Sequence, residues 1–234
     1  MQVSEIFKSL QGEGPSVGRP ALFLRLTGCN LRCRWCDTPY AQEKGISQPI
    51  EVVLKNLKVA GLEKTDYLVI TGGEPMLQVE EIQELINNLP LNVKKVGIET
   101  NGTTPPGRLT NQEIVSFLDN VRNLADMEYC VSPKLLNSGS SMGIDQFCQE
   151  WVNYVCKDNI NFKFVAGTKQ DVFEIENFVR VHNIPRRRVW LMPECRTSTR
   201  HVELMPLLFE SAVQYGYNLS PRLHILAYQN KRGV

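Results

Sequence analysis

Several features that decide the class of a protein are scarce in this chain of 234 residues or missing from it. No apolar run approaches the ~18 residues that a membrane span needs. The first residues, M-Q-V-S-E-I-F-K-S-L, lack the charged and apolar regions of a secretory signal. The net charge is only +1, so a chain that coats nucleic acid is not indicated. We therefore expect a cytoplasmic protein that binds neither membrane nor nucleic acid.

Cysteine and histidine usage argues against two common structural roles. The chain has seven cysteines, an odd number, and without an export signal we expect no disulfide framework. Only three histidines are present, His182, His201 and His224, and none lies near the cysteine cluster described next. Hydrophobic residues make up 42% of the chain, which is ordinary globular composition. We find no repeats and no low-complexity linker, so we treat residues 1–234 as a single domain.

Cys29, Cys33 and Cys36 stand together as C-N-L-R-C-R-W-C, directly after an apolar stretch. A closed structural zinc site uses four protein ligands, whereas a site with three leaves one position open. Iron–sulfur clusters are held by cysteine thiolates, and a cubane with three cysteines leaves one iron free for another molecule. A partial zinc site and unrelated core cysteines are the alternatives at this point.

Strand and helix patterns alternate along the chain about six times, which predicts an α/β fold with a mostly parallel sheet covered by helices. Strands are predicted at 20–26, 67–71, 93–99, 129–131, 161–165 and 189–192, helices at 50–59, 78–88, 110–121, 170–181 and 199–215, and a last extended piece at 223–226. Polar motifs follow several of these strands. In a parallel barrel the loops after the strands form the catalytic face, so the motifs should converge on one mouth.

Four polar motifs follow the predicted strands: G-G-E-P at 72–75, E-T-N-G at 99–102, S-P-K at 132–134 and M-P-E at 192–194. Paired glycines let the backbone approach a ligand without obstruction by Cβ atoms. The other motifs carry side chains that can bond ribose hydroxyls, a carboxylate or the edge of a base. Turn formation and helix capping are the alternative interpretation of each motif.

A further polar motif, F-K-S-L-Q-G-E-G at residues 7–14, precedes the first long strand. Gln11 can donate and accept hydrogen bonds, whereas the carboxylate of Glu13 only accepts them. This pair suits the edge of a guanine-like or pterin ring, where N–H and NH₂ donors lie beside a carbonyl acceptor. A tight turn is the alternative interpretation.

The spacing C-x₃-C-x₂-C with Trp35 before the last cysteine resembles the radical S-adenosylmethionine (radical SAM) enzymes. The resemblance implies an incomplete TIM-like (β/α)₆ barrel. It also implies a [4Fe-4S] cluster on Cys29, Cys33 and Cys36, whose open iron binds S-adenosylmethionine and yields a 5′-deoxyadenosyl radical. By position, the expected S-adenosylmethionine contacts are Trp35, Gly72, Gly73, Glu74, Glu99, Asn101, Ser132, Lys134 and Glu194.

The motifs S-L-Q-G-E-G, W-C-D-T, T-G-G-E-P, E-T-N-G-T, S-P-K and R-L-H together resemble the 7-carboxy-7-deazaguanine synthase family. That resemblance implies a lyase of queuosine biosynthesis, which converts 6-carboxy-5,6,7,8-tetrahydropterin to 7-carboxy-7-deazaguanine with loss of ammonia. It implies Mg²⁺ bound by Thr38, with Asp37 alongside, and no catalytic side chain beyond the cofactor radical. The implied substrate contacts are Leu10, Gln11, Gly12, Glu13, Arg25, Thr71 and His224.

The resemblance also implies the organisation and the partners of the chain. We expect a core barrel at about 20–215, a substrate-binding loop at 7–14 and a substrate-binding tail at 220–234. We further expect a homodimer that receives electrons from a flavodoxin or ferredoxin. Two alternatives are a glycyl-radical activating enzyme, which shares the cysteine spacing, and a plain iron–sulfur electron carrier. The first would not need the Q-G-E-G loop, and the second would not need G-G-E-P or S-P-K.

Overall fold

The structure, a computed structural model, describes residues 1–43, 45–106, 126–140, 145–154 and 159–234. Its centre is one sheet of eight strands arranged in chain order from β1 to β8. Strand β1 runs antiparallel to β2, and every later neighbour pair is parallel. The strands are β1 Val3–Leu10, β2 Pro20–Leu26, β3 Tyr67–Gly72, β4 Lys95–Thr100, β5 Asp126–Val131, β6 Asn159–Ala166, β7 Val189–Pro193 and β8 Asn218–Leu219.

Most of the helices pack on the outer face of this sheet through their apolar sides, and the last one packs against the helix before it. They are α1 Ile50–Val59, α2 Val79–Asn87, α3 Glu150–Tyr154, α4 Lys169–Val181, α5 Ser198–Tyr215 and α6 Leu223–Tyr228. Helix α4 begins with a capping box, in which Thr168 and Asp171 each accept a hydrogen bond from the backbone of the other. The helix predicted at 110–121 lies outside the described residues. Within the described ranges, no helix is long and apolar enough to cross a membrane.

The mostly parallel α/β sheet confirms the predicted fold class, a partial TIM-like barrel. Strand β3 reads Y-L-V-I-T and is buried along almost its whole length, as expected of a strand covered on both faces. The two edge strands do not pair, but the loops that follow them meet. The N–H of Gly14 donates to Ser220 Oγ at 2.8 Å, and the N–H of Leu223 donates to Gly12 O at 3.0 Å. These bonds bring the N-terminal motif and the R-L-H motif together at the mouth of the barrel.

Two predictions about chain segments are wrong. Residues 7–14 are not all loop, because Phe7–Leu10 belong to β1 and only residues 11–14 turn away from it. The alternating pattern V-S-E-I-F-K-S-L pairs with β2, and the Phe7 ring stacks on Phe23 with centroids 5.0 Å apart. Residues 223–226 are helical rather than extended. Their short apolar pattern fits either period, and the helix propensity of leucine and alanine favours α6.

A polar network fills the interior of the barrel away from the mouth. Glu128 accepts hydrogen bonds from Ser16 Oγ at 2.8 Å and from Tyr67 Oη at 3.0 Å, and it pairs with Lys95 Nζ at 2.9 Å. Its side chain is only 6% exposed. Because buried charges are stable only when they are paired, this network is a closed structural unit. It ties β5 to β3, to β4 and to Ser16.

Candidate active site

A cavity of about 430 Å³ lies at the carboxyl ends of the parallel strands. It brings together the motifs that the sequence separates by more than half of the chain. Of the predicted site residues, those that line it are Leu10, Gln11, Gly12, Glu13, Arg25, Cys29, Cys33, Trp35, Cys36, Thr38, Thr71, Gly72, Gly73, Glu99, Asn101, Ser132, Lys134 and His224. Glu74 and Glu194 do not line it. The predicted convergence on one mouth is thus present in the fold.

The cysteine loop follows β2 and is fixed by backbone hydrogen bonds. Gly28 has a φ of +87°, which a side chain would disfavour, and it turns the chain out of the strand. The N–H of Cys29 then donates to Gln42 O at 3.0 Å, and that of Arg34 donates to Ser138 O at 2.8 Å. These bonds tie the loop to two other segments, so the three thiols occupy one wall of the cavity.

The chemistry of this wall fits a cluster held by three thiolates. All three thiols are free and partly exposed to the cavity. Burial raises the pKa of the Cys29 and Cys33 thiols, and the charge of Lys134 opposes that rise. Among the described residues, no three His, Cys, Asp or Glu side chains converge closely enough for a single metal ion. A cluster binds its cysteines through different iron atoms, so its ligands need not converge on one point.

Gly72 and Gly73 place the end of β3 directly against the cysteine loop. A Cβ atom on Gly73 would lie 2.1 Å from Gly28 O and 2.6 Å from Ala41 O. A Cβ atom on Gly72 would lie 2.2 Å from Leu26 O, and the φ of Gly72 is +140°. Only glycine fits at these two positions, because the backbones themselves are in contact.

Replacing Gly73 by alanine is expected to destabilise the fold by about 3 kcal/mol. The added methyl group overlaps backbone oxygens that cannot rotate away, so the cysteine loop must move. Gly167→Ala is the matched control, because its Cβ would meet side-chain atoms and no backbone, the nearest being Glu194 Oε2 at 3.1 Å. Urea unfolding should separate the two variants clearly. Equal midpoints would contradict this account of Gly73.

The carboxylate of Glu74 is fully buried and bonded to protein donors. Oε1 accepts from the N–H of Met76 at 2.9 Å and from Thr100 Oγ1 at 2.6 Å, and Oε2 accepts from the N–H of Asn101 at 2.6 Å. Burial raises the pKa of Glu74 while these hydrogen bonds lower it. The side chain therefore braces the turn after β4 against the end of β3. A ligand would meet the backbone of this motif rather than the carboxylate.

Glu99 and Gln11 form a hydrogen-bonded chain across the cavity. Glu99 Oε2 accepts from Thr71 Oγ1 at 2.7 Å, and Oε1 accepts from Gln11 Nε2 at 3.1 Å. Gln11 Oε1 in turn accepts from the N–H of Glu13 at 3.2 Å. This chain fixes the direction of each amide and carboxylate before a ligand arrives. Asn101, by contrast, directs its side chain to Asn30 Oδ1 at 3.0 Å.

Lys134 and Trp35 form the side of the cavity next to the cysteines. The ammonium of Lys134 donates to Ser132 O at 2.6 Å and to Ser132 Oγ at 2.7 Å, and it lies 5.5 Å from the centre of the Trp35 ring. The indole of Trp35 donates to Asn137 O at 3.1 Å. Burial lowers the pKa of Lys134. The arrangement presents a flat aromatic face and a cation to the same space.

A cluster of buried charges surrounds Glu13, and two of its members were missed by the sequence analysis. Lys163, on β6, donates to Glu13 Oε2, and Arg222 Nε donates to Oε1 at 2.9 Å. His224 Nε2 lies 3.7 Å from the same Oε1. Burial alone would raise the pKa of Glu13, but the charges of Lys163 and Arg222 hold it well below its usual range. Glu13 is therefore an ionised acceptor that is fixed on both sides.

Thr38 and Asp37 lie between this charge cluster and the cysteine loop. Thr38 Oγ1 is 3.9 Å from Cys36 Sγ, and both side chains line the cavity. Asp37 Oδ2 accepts from Arg222, whereas the buried Oδ1 has no partner among the described residues. Mg²⁺ prefers hard oxygen ligands and takes only one or two from the protein. A hydroxyl beside an unsatisfied carboxylate oxygen fits such an ion.

Arg25 is bound to a carboxylate of the protein itself. Its Nε donates to Glu5 Oε1 at 2.7 Å, and its guanidinium lies over the Phe7 ring at 5.5 Å from the centre. Glu5 also accepts from Tyr40 Oη at 2.9 Å and from Arg232 Nε at 2.8 Å. Residues 230–234 line the cavity as well. The Glu5 network therefore connects Arg25 to the tail and orients the guanidinium towards the cavity.

Glu194 lies in a neighbouring cavity of about 480 Å³. The two cavities are adjacent, since five residues line both of them: Trp35, Asp37, Val165, Met192 and Arg222. Arg196, two residues after Glu194, donates from Nη2 to Cys36 O at 3.0 Å. In the M-P-E motif, Met192 therefore lines the first cavity, whereas Glu194 lines only the neighbouring one.

Comparison with known proteins gives a consistent set of relatives. The sequence profile of the Radical SAM superfamily matches residues 24–127. A 7-carboxy-7-deazaguanine synthase of Pyrobaculum aerophilum is 38% identical over 100% of this chain and 97% of its own length. Enzymes of the same name from Hyperthermus butylicus, at 35% over 97% and 92%, and Rhodopirellula baltica, at 32% over 99% and 88%, are also similar. The crystal structure of QueE from Escherichia coli superposes with a TM-score of 0.63 at 25% identity, covering 93% of this chain and 92% of that chain.

Proposed function

This chain belongs to the 7-carboxy-7-deazaguanine synthase family of radical SAM enzymes, and on that premise we propose which of its residues carry out the reaction. The family reaction converts 6-carboxy-5,6,7,8-tetrahydropterin to 7-carboxy-7-deazaguanine, with ring contraction and loss of ammonia. It is a step of queuosine biosynthesis. The observation that supports the assignment of residues is the single cavity that the cysteine loop shares with Gln11, Glu13 and Arg25. Neither a glycyl-radical activating enzyme nor an electron carrier needs a small-molecule pocket of this kind beside its cysteine loop.

Cys29, Cys33 and Cys36 hold the [4Fe-4S] cluster in this proposal. When bound, the cluster and S-adenosylmethionine supply a 5′-deoxyadenosyl radical that removes a hydrogen atom from the substrate. The role of the chain is to position the reactants and to exclude water. Gly72 and Gly73 line the cavity, and their backbone carbonyl groups would accept hydrogen bonds from the amino end of S-adenosylmethionine. Glu74 supports this contact indirectly by bracing the turn.

The remaining contacts to S-adenosylmethionine are assigned from the polar groups and aromatic faces that line the cavity. Ser132, Lys134 and Glu99 face the cavity with hydroxyl, ammonium and carboxylate groups suited to ribose hydroxyls and to the carboxylate of the cofactor. Trp35 offers its aromatic face. Asn101 is committed to Asn30, so its contribution is to hold the shape of the loop. Glu194 reaches the cofactor only if the ligand extends into the neighbouring cavity.

The pterin lies at the opposite side of the cavity. Gln11 and Glu13 bind its polar edge, with Leu10 and Gly12 beside them, and Thr71 and His224 complete the pocket. Arg25 binds the substrate carboxylate through its terminal nitrogens, because Nε is held by Glu5. A planar guanidinium forms two parallel bonds to a carboxylate, which fixes its orientation. These residues would hold the substrate in the same cavity as the cofactor, and such orientation lowers the barrier.

Thr38 binds Mg²⁺ in this proposal, with Asp37 as its neighbour. The ion would neutralise the substrate carboxylate and orient the ring during rearrangement. The support is chemical: Asp37 and Thr38 are consecutive residues that both line the cavity, and Asp37 Oδ1 has no partner among the described residues. Both belong to the loop that also carries Cys36, so metal and cluster are positioned by one segment.

Thr38→Ala is expected to raise the Mg²⁺ concentration that gives half-maximal activity by about 10-fold or more. The reason is that the variant loses the hydroxyl ligand while the cysteine loop keeps its backbone bonds. Thr65→Ala is a suitable control, since Thr65 Oγ1 donates to Gly61 O at 3.0 Å and does not line the cavity. The measurement is a Mg²⁺ titration of turnover. An unchanged titration curve for Thr38→Ala would remove the metal role.

Partners and organisation remain proposals of the same kind. We take residues 1–234 as one catalytic domain that works as a homodimer in the cytoplasm. Its electron donor is a flavodoxin or ferredoxin, and exposed Arg34 and Arg196 beside the cysteine loop offer an acidic donor a favourable surface. The decisive experiment is anaerobic reconstitution with the carboxytetrahydropterin, S-adenosylmethionine, Mg²⁺ and a reductant. Mass spectrometry should find the deazaguanine and ammonia; cofactor cleavage without either product would overturn the substrate assignment.

A further inference from the structure

Lys163 is a buried cation to which the proposed reaction assigns no role. It lies in the middle of β6, lines the cavity and has a side chain only 7% exposed. Its ammonium has three N–H donors. In the part of the chain that the structure describes, its one hydrogen-bond acceptor is Glu13 Oε2. Two donors therefore have no protein acceptor among the described residues, and the side chain lines the cavity.

The surroundings of Glu13 distinguish its two oxygen atoms. Oε1 lies between Arg222 Nε, at 2.9 Å, and His224 Nε2, at 3.7 Å. Three of the five N–H donors of Arg222 already bind protein acceptors, namely Glu13, Cys195 O and Asp37 Oδ2. Burial lowers the pKa of His224, so its neutral ring keeps one nitrogen that accepts. The side of Oε1 therefore has an acceptor in His224, and the side of Oε2 has the remaining donors of Lys163.

The hydrogen-bonding groups along the polar edge of a pterin follow an order that is complementary to these protein groups. Its 2-amino group has two N–H donors, the ring N3–H comes next, and the C4 carbonyl oxygen follows as an acceptor. The amino group fits Oε1, with His224 accepting its second hydrogen, and N3–H fits Oε2. The carbonyl oxygen then falls beside Lys163. The reverse orientation would set that oxygen against His224 and leave the donors of Lys163 unused.

We propose that Lys163 is a specificity-determining residue, which donates a hydrogen bond to the carbonyl oxygen at C4 of the substrate ring. This inference rests on the proposed function, because the pterin edge is taken from it. Burial lowers the pKa of Lys163, but Glu13 raises it above its usual range, so the side chain remains a donor throughout the working pH range. A site built around such a donor disfavours a ring that has a poor acceptor at this position.

The test compares two unreactive ligands on the holoenzyme loaded with cluster and S-adenosylmethionine. One is pterin-6-carboxylate, and the other is its 4-thioxo analogue, which keeps the amino group and N3–H but replaces the oxygen by sulfur, a weak acceptor. Loss of a hydrogen bond to a charged donor costs about 10-fold to 100-fold in affinity. We therefore expect the unmodified enzyme to prefer the oxo ligand by at least that lower factor, and Lys163→Met to bind both ligands about equally.

Lys95→Met is the matched control, because Lys95 also pairs with a buried carboxylate, Glu128, but does not line the cavity. It should keep the preference of the unmodified enzyme. Equal affinities in the unmodified enzyme would overturn the inference without any variant. So would a Lys163→Met protein that binds both ligands more weakly by the same factor, which is the result of a purely structural role. If the unmodified holoenzyme binds neither ligand but still cleaves S-adenosylmethionine, the proposed substrate is wrong and the inference falls with it.

Discussion

Cys33→Ala is expected to reduce turnover below about a thousandth of the unmodified rate, because the cluster carries the hard chemistry and the chain supplies only position. Cys33 is the middle thiol of the loop that lines the cavity. The purified variant should also lack the visible absorbance of an iron–sulfur cluster after anaerobic reconstitution. Product formation and iron content are the two measurements.

The control for this experiment is another free thiol outside the cavity. Cys148 donates to Thr103 O at 3.2 Å and does not line the cavity. Cys148→Ser should keep both the cluster and the activity. If Cys33→Ala retained a cluster with four iron atoms and normal turnover, the triplet would not be the ligand set.

Glu13→Gln should have the second-largest effect, and it should act on stability and on binding together. Glu13 neutralises Lys163 and Arg222, whose side chains are 7% and 4% exposed. Removing one partner of a buried ion pair costs about 3–5 kcal/mol, because the remaining charges stay buried without compensation. The amide also presents a donor where the pterin edge presents donors, so the KM for the substrate should rise by about 100-fold or more.

A matched variant separates these two effects. Glu128→Gln also removes a buried carboxylate that pairs with a lysine, but its network lies away from the cavity. We expect a loss of unfolding free energy of the same order and a KM close to the unmodified value. Urea unfolding gives the first quantity and steady-state kinetics the second. A similar rise in KM in both variants would mean that Glu13 acts only through the stability of the fold.

Sequence analysis identified those parts of the candidate site whose residues lie close together in the sequence. In the cysteine triplet, the paired glycines and the Q-G-E-G turn, the functional groups lie within a few residues of one another. The alternation of strands and helices predicts that these motifs meet at one edge of the sheet. Lys163 and Arg222 were missed, because their role depends on a partner that lies far away in the sequence. A signal existed for Lys163, since a lysine interrupts the apolar strand N-I-N-F-K-F-V-A. Lysine is almost never fully buried unless it is paired.

For two carboxylates, the sequence motif did not predict the direction of the side chain. Glu74 and Glu194 follow strands as glycine-flanked or proline-flanked motifs, so their sequence context suggests contact with a ligand. In the structure the carboxylate of Glu74 is bonded to Met76, Thr100 and Asn101, and Glu194 lies in the adjacent cavity. The direction in which a strand-end side chain points is set by the turn that follows it, and a motif does not reveal that direction. The same holds for α6, whose short pattern fits two periods.

The central claim is that this cavity holds the C6 hydrogen of the pterin against the radical generated at the cysteine loop. It is tested most directly by a substrate that carries deuterium at C6, turned over anaerobically with the reconstituted enzyme, S-adenosylmethionine and Mg²⁺. We expect deuterium to enter the 5′ position of 5′-deoxyadenosine and of recovered S-adenosylmethionine, in step with formation of the deazaguanine. Product that forms while the cofactor stays free of deuterium would contradict the account.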